Sequence, residues 1–177
     1  MLVPIASGRG YSRDWPSPVD SFVLVYRTPP IDEARYRDGC VLLGSDIAVA
    51  DSDVVGLKSL SRIAQVNAAP QHPEHEHLLV DRDGFVVSAR SANLFAHFGE
   101  VLVTPPVGNG VIAGVARARL LQSPPSGFSV RVQSMHRDSL LHADALILSN
   151  AVRGYVPVAR LGERAFMRRD AIAAIMQ

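Results

Sequence analysis

Leu78-Leu-Val-Asp-Arg-Asp-Gly-Phe-Val-Val87, followed by Asn93-Leu-Phe-Ala-His-Phe-Gly-Glu-Val-Leu-Val-Thr104, is the stretch that decides the fold. Apolar runs flank Asp81-Arg-Asp-Gly84, and a second pair flanks Gly99-Glu100. A short glycine-containing connection between such runs is a hairpin signal, because glycine takes the positive φ that a tight turn needs. Two successive hairpins require substantial antiparallel pairing. Upstream, Cys40–Leu43 and residues 47–50 read as strands. Residues 59–69 read as a helix, with apolar positions 60, 63, 64, 66 and 68 and Pro70 as its stop. Downstream, residues 111–122 read as a helix entered from Gly108-Asn-Gly110 and Gly114. Residues 128–132 and 145–148 read as strands, 138–142 as a helical turn or two, and 169–176 as a closing helix. Ahead of all this, Gly8 and Gly10 turn the chain, residues 12–20 form a Ser/Pro/Asp-rich loop, and residues 22–26 (Phe-Val-Leu-Val-Tyr) are a buried-strand candidate. The predicted class is α+β, rich in strands with few short helices.

Composition bounds the function. With 177 residues, 47% hydrophobic and 20% charged, the chain folds as about one ordinary domain. A net charge of +1 gives no electrostatic footprint for nucleic acid or an anionic membrane. The single cysteine, Cys40, excludes an internal disulfide and a cysteine-based zinc site. No apolar run approaches the ~18–20 residues of a membrane span, so a cytoplasmic location is the expectation. Seventeen of the eighteen basic residues are arginine, and the one lysine is Lys58. Arginine stays protonated, so a side-chain amine acting as nucleophile or Schiff base can only be Lys58.

Four segments carry chemistry. Gln71-His-Pro-Glu-His-Glu-His77 holds three histidines, but its spacing matches no zinc motif and it reads as a solvated linker, without a metal. Gly108-Asn-Gly-Val-Ile-Ala-Gly114 runs into a helix, and backbone N–H groups at a helix start favour a phosphate. The strand ending at Leu148 runs into Ser149-Asn150, which can offer a hydroxyl and N–H groups to a ligand; an ordinary strand exit fits equally. Gly56-Leu-Lys-Ser-Leu60 places Lys58 between leucines just before a helix, where partial burial lowers an amine's pKa; an exposed lysine fits the same pattern.

Taken in order, Lys58 with Ser61 and Arg62, the Asp81–Gly84 turn, Ser91-Ala-Asn-Leu-Phe95, Thr104-Pro-Pro106, Gly110-Val-Ile-Ala-Gly-Val-Ala-Arg117 and Ser149-Asn-Ala-Val-Arg-Gly-Tyr-Val-Pro-Val158 resemble the class IV aminotransferase family of fold type IV pyridoxal-phosphate enzymes. Within it, Gly8-Arg-Gly-Tyr11, Arg62 and Asn150-Ala-Val-Arg-Gly154 look most like the aminodeoxychorismate lyases. The resemblance implies pyridoxal 5'-phosphate as cofactor, with Lys58 as the Schiff-base lysine and proton-transfer base. It implies that the phosphate sits on the N–H groups of Ile112 and Ala113, joined by Ser149 and Asn150. Arg9, Tyr11 and Arg153 are then the substrate side, facing carboxylates. The implied reaction turns 4-amino-4-deoxychorismate into 4-aminobenzoate and pyruvate, in folate biosynthesis, by a homodimer.

Two departures qualify it. Where the family carries a glutamate that holds the pyridine nitrogen protonated, this chain has Ser88. A serine cannot stabilise a pyridinium, which weakens transamination more than a lyase step that forms an aromatic ring. The expectation is therefore a lyase, with an impaired or inactive relative, or a branched-chain or D-amino-acid aminotransferase, as alternatives. The family also carries a longer N-terminal segment. By that comparison residues 1–30 are the remnant of a small N-terminal domain and 31–177 the large pyridoxal-phosphate-binding domain.

Overall fold

The computed structural model describes residues 2–4, 19–21, 23–27, 30, 32–44, 58, 63–67, 72, 74–108 and 110–166. They divide into two compact units, Met1–Ile31 and Asp32–Gln177. In the first, β1 (Leu2–Pro4) and β2 (Val19–Ser21) form a two-stranded antiparallel ribbon, with Leu2 opposite Ser21. The strand expected at residues 22–26 does not form: residues 23–27 have no regular structure, and Val23 is 86% exposed. An apolar run becomes a buried strand only where a neighbouring strand takes its N–H and C=O groups, and none pairs with it among the described residues.

The second unit runs α1 (Ala34–Asp38), β3 (Cys40–Leu43), α2 (Ile63–Asn67), β4 (Glu76–Val80), β5 (Val86–Ala89), β6 (Asn93–Phe98), β7 (Val101–Thr104), α3 (Val115–Gln122), β8 (Ser129–Val132), a 3-10 turn at Arg137–His142, β9 (Ala145–Asn150), β10 (Gly154–Leu161) and β11 (Arg164–Ala165). The strands build one mixed sheet in the order β5-β4-β3-β10-β9-β6-β7-β8, with β11 paired to β10. The sheet curls until its ends meet. Val86 N–H donates to Met135 C=O at 2.8 Å and Arg137 N–H to Gly84 C=O at 3.0 Å, linking the turn before β5 to the segment after β8. Closure of this kind removes exposed sheet edges.

Both predicted hairpins form. Gly84 and Gly99 take φ of 83° and 61°, and the Asp81 carboxylate accepts the N–H groups of Asp83 and Phe85 at 3.0 and 2.8 Å. Three readings need correction. The helix expected over 111–122 begins only at Val115, because Gly108 and Gly110 adopt positive φ and Gly114 is extended at φ −69°, ψ 140°. The Gln71–His77 stretch is not all linker, since β4 starts at Glu76 and both Glu76 and His77 are buried. Gly154–Leu161, to which the sequence reading assigned no strand, is the strand that joins β9 to β3. Pairing with β3 starts at Val158, just past Pro157. The closing helix expected at 169–176 and the strand at 47–50 lie outside the described residues.

Strand alternation divides the core. Leu94, Ala96, Leu146, Leu148, Val156 and Val158 fill one face of β6, β9 and β10. Phe95, Ala145 and Ile147 fill the other, where they meet Leu102 and Leu120 of α3. A third cluster joins Leu79, Val87 and Val111. No helix among the described residues is long and apolar enough to cross a membrane.

Candidate active site

The face that carries α3 ends in a row of three polar residues. Asn93 on β6 is the direct partner of Ser149 on β9, and Ser149 is the direct partner of Tyr155 on β10. Direct cross-strand partners present their side chains on the same face. The two outer residues reach the chain entering α3: Asn93 Nδ2 donates to Ile112 C=O at 2.9 Å, and the Tyr155 hydroxyl donates to Ala116 C=O at 2.8 Å. Ser149, between them, is 1% exposed, and its Oγ has no hydrogen-bond partner among the described residues. A buried hydroxyl without a partner carries a cost of about 1–3 kcal/mol that a bound polar group removes.

The helix above the row is open at its start. Gly114 caps α3 with no side-chain hydrogen bond, and the first helical bond runs from Ala118 N–H to Gly114 C=O at 2.9 Å. The N–H groups of Val115, Ala116 and Arg117 therefore precede the first helical donor, and with the helix dipole they favour an anion. Gly114 packs closely on Asn93: a Cβ there would meet Asn93 Oδ1, so one of the two would have to shift. Arg117 adds a buried cation: its Nη2 donates to Pro105 C=O at 2.8 Å, its Nε has no partner, and no carboxylate pairs with it among the described residues. Burial lowers its pKa.

Ile112 and Ala113 precede the cap rather than start the helix, and Ile112 C=O is taken by Asn93. Ser149 and Asn150 are consecutive in β9, so they face opposite ways. Only Ser149 joins the row beneath α3. Asn150 turns to the other face and accepts the N–H groups of Val152 and Arg153 at 3.0 and 2.7 Å. Arg153 Nη1 pairs with Glu76 Oε1 at 2.9 Å, its side chain one-third exposed. Ser88 is buried opposite Leu79 at a register shift in β5, on the side where Leu79, Val87 and Val111 cluster. Lys58 is exposed, while residues 45–57 and 59–62 around it, like Arg9 and Tyr11, lie outside the described residues.

Asn93, Tyr155 and Glu76 were not singled out by the sequence. Asn93 stood inside the quoted Ser91–Phe95 motif, and its strand pairing is the signal that selects it. Glu76 carries no such signal. No group of three or more His, Cys, Asp or Glu residues fit to hold a metal occurs among the described residues.

The donors at this site suit a phosphate monoester: open N–H groups at a helix start, an unpartnered hydroxyl and a nearby buried cation. Comparison with known proteins is consistent with that chemistry. The family model for amino-transferase class IV matches residues 2–161. The branched-chain-amino-acid aminotransferase of Escherichia coli is 29% identical over 100 residues, which is 56% of this chain and 32% of that protein. The D-alanine aminotransferase of Bacillus licheniformis is 26% identical over 107 residues, 60% of this chain and 38% of that protein. Among solved structures, 4-amino-4-deoxychorismate lyase from Pseudomonas aeruginosa superposes with a TM-score of 0.84 at 24% identity, covering 98% of this chain and 66% of that one. The matched region thus spans about a third of the curated relatives. Its fold is that of the fold type IV enzymes, and by the match over residues 2–161 the chain belongs to the class IV aminotransferase family.

Proposed function

We propose that this protein is a pyridoxal-phosphate-dependent lyase that converts 4-amino-4-deoxychorismate to 4-aminobenzoate and pyruvate. The observation that carries the cofactor reading is the unpartnered Ser149 hydroxyl beneath the uncapped start of α3. In this reading Val115, Ala116 and Ser149 hold the cofactor phosphate, and Asn93 and Tyr155 hold the chain that presents those N–H groups. The same donors replace Ile112, Ala113 and Asn150 as the phosphate contacts, since the helix start and the strand alternation point that way. Bound pyridoxal phosphate supplies an electron sink for the amine-bearing carbon of the substrate. Lys58, the chain's one side-chain amine, anchors the cofactor and moves a proton at that carbon. Arg9, Tyr11 and Arg153 face the substrate carboxylates, Arg153 through the N–H groups it does not give to Glu76.

Ser88 favours the lyase. A hydroxyl can hydrogen-bond a neutral pyridine nitrogen but cannot hold it protonated, and loss of the enolpyruvyl group from a ring that becomes aromatic needs less electron withdrawal than amino-group transfer. Amino-group transfer is the second reading, favoured by the two aminotransferase relatives. A cytoplasmic homodimer serving folate synthesis completes the proposal. The test is product analysis of the protein loaded with pyridoxal phosphate. Formation of 4-aminobenzoate and pyruvate from 4-amino-4-deoxychorismate is expected. Conversion of an amino acid to its keto acid without any aminobenzoate would contradict the lyase reading.

A further inference from the structure

On the face of the sheet opposite α3, four residues from distant parts of the chain close a ring. The carboxylate of Glu76, 3% exposed at the start of β4, accepts Arg153 Nη1 at 2.9 Å, the Ser91 N–H at 3.1 Å and the Ser91 hydroxyl. Asn150 completes the circuit. Its Nδ2 donates to Ser91 C=O at 3.3 Å, and its Oδ1 accepts the Arg153 N–H at 2.7 Å. Tyr36 of α1 braces the ring from outside, donating to Arg153 C=O at 2.9 Å. The residues lie at positions 76, 91, 150 and 153, so the ring ties the start of β4 to the β5–β6 turn and the β9–β10 turn.

Those two turns are where the anion cradle begins and ends. Ser91 lies two residues before Asn93, and Asn150 directly follows Ser149. Asn93 and Ser149 are cross-strand partners at the very end of the β6–β9 ladder, so that β6 has no further partner on β9 beyond Asn93, although β9 stays paired to β10 through Asn150. Strand ends fray unless something beyond the ladder fixes them. Glu76 provides that fixing from the opposite face, and as a buried anion it holds its partners by charge-assisted bonds, which are short and directional. Arg153 is one-third exposed but Glu76 is buried, so removing the cation leaves a buried carboxylate uncompensated, and removing the carboxylate releases Ser91 and Arg153 together.

We propose that Glu76 is a positioning residue: through Ser91, Asn150 and Arg153 it holds Asn93 and Ser149 in register beneath α3 and so sets the affinity of the site for a phosphate monoester. The inference rests on the cofactor reading above and names the residue that makes the cradle rigid. Glu76 touches neither cofactor nor substrate in it.

The test compares pyridoxal phosphate with pyridoxal, which lacks the phosphate, by equilibrium titration of the full chain. The wild type is expected to bind pyridoxal phosphate more tightly. Glu76→Gln is expected to weaken pyridoxal phosphate about tenfold and leave pyridoxal unchanged. Arg153→Met is expected to show the same phosphate-specific loss, and the double variant no more than either alone, since coupled residues are not additive. Ser91→Ala removes one donor and keeps the charge pair; if Glu76→Gln does not fold, a phosphate-specific loss of a few-fold in Ser91→Ala carries the test. Equal weakening of both ligands marks a merely structural role and overturns the proposal, as does an unchanged preference for the phosphate form. A wild type with no such preference overturns the cofactor reading itself, and the proposal falls with it.

Discussion

Ser149 stands directly opposite Asn93 at the end of the β6–β9 ladder, and only Asn93 is satisfied. Asn93 reaches across to Ile112, whereas the Ser149 hydroxyl meets nothing. Cross-strand neighbours on one face share an environment, so the asymmetry singles out the Ser149 hydroxyl as the free polar group beneath α3 that the proposed phosphate contact uses. Ser149→Ala should therefore leave ligand-free stability unchanged or raise it by about 1 kcal/mol, while weakening pyridoxal phosphate. Urea denaturation with and without the cofactor measures both. Destabilisation of the ligand-free protein by the alanine would contradict an unpartnered hydroxyl.

Gly114→Ala should act in the opposite sense on stability. The new Cβ meets Asn93 Oδ1, so either the side chain or the start of α3 must move. The expected cost is about 1–3 kcal/mol, with cofactor binding lost beyond that cost. Thermal unfolding and titration together separate the two effects.

Cys40 predicts a pH dependence. Burial, with Glu76 nearby as a smaller cause, pushes its thiol up from 9.0 to about 11. The unfolded chain then loses the thiol proton near pH 9 while the folded chain keeps it to about pH 11. Because the folded state binds more protons across that window, stability falls as pH rises through it, and this contribution is fully present below pH 9. The expected loss is about 2–3 kcal/mol between those limits. Cys40→Ala should remove this slope whatever it does to the absolute stability, and thiol reagents at pH 8 should label the wild type only on unfolding.

Ser88→Glu tests what the serine decides. A carboxylate introduced at this buried position is stripped of water, so ligand-free protein should lose about 1–3 kcal/mol. With pyridoxal phosphate bound, the same variant should gain amino-group transfer relative to the wild type, read as keto acid formed per cofactor. A variant with unchanged transfer would show that residue 88 does not face the pyridine nitrogen.

The hairpins were legible in the sequence because turn chemistry is local: Asp81, Gly84 and Gly99 bond or bend within a few residues. Ser149 was legible as the end of a buried strand. Which of Ser149 and Asn150 faces α3 was not, since facing depends on register with β6 and β10, far away in the chain. The start of α3 was misplaced because Val111, Ile112 and Ala113 continue the apolar pattern, while Gly108 and Gly110 hold them in a turn. Glu76 was hidden for a different reason. Its neighbours in sequence are histidines and prolines, and the partners that bury it lie 15 and 77 residues on. β10 tolerates Pro157 within its pairing to β9 because its pairing to β3 begins only at Val158, and that depends on partners far away in the chain.

Lys58 is the chain's one side-chain amine, so the central claim has a direct measurement. The protein is incubated with pyridoxal phosphate, its visible absorption recorded, the mixture reduced with borohydride and the modified residue located by mass spectrometry. A yellow protein carrying the pyridoxyl group on Lys58 is expected, with colour and adduct both abolished by Lys58→Ala and weakened by Ser149→Ala. A colourless protein, or a colour that survives Lys58→Ala with the adduct on the terminal amine alone, would contradict the central claim.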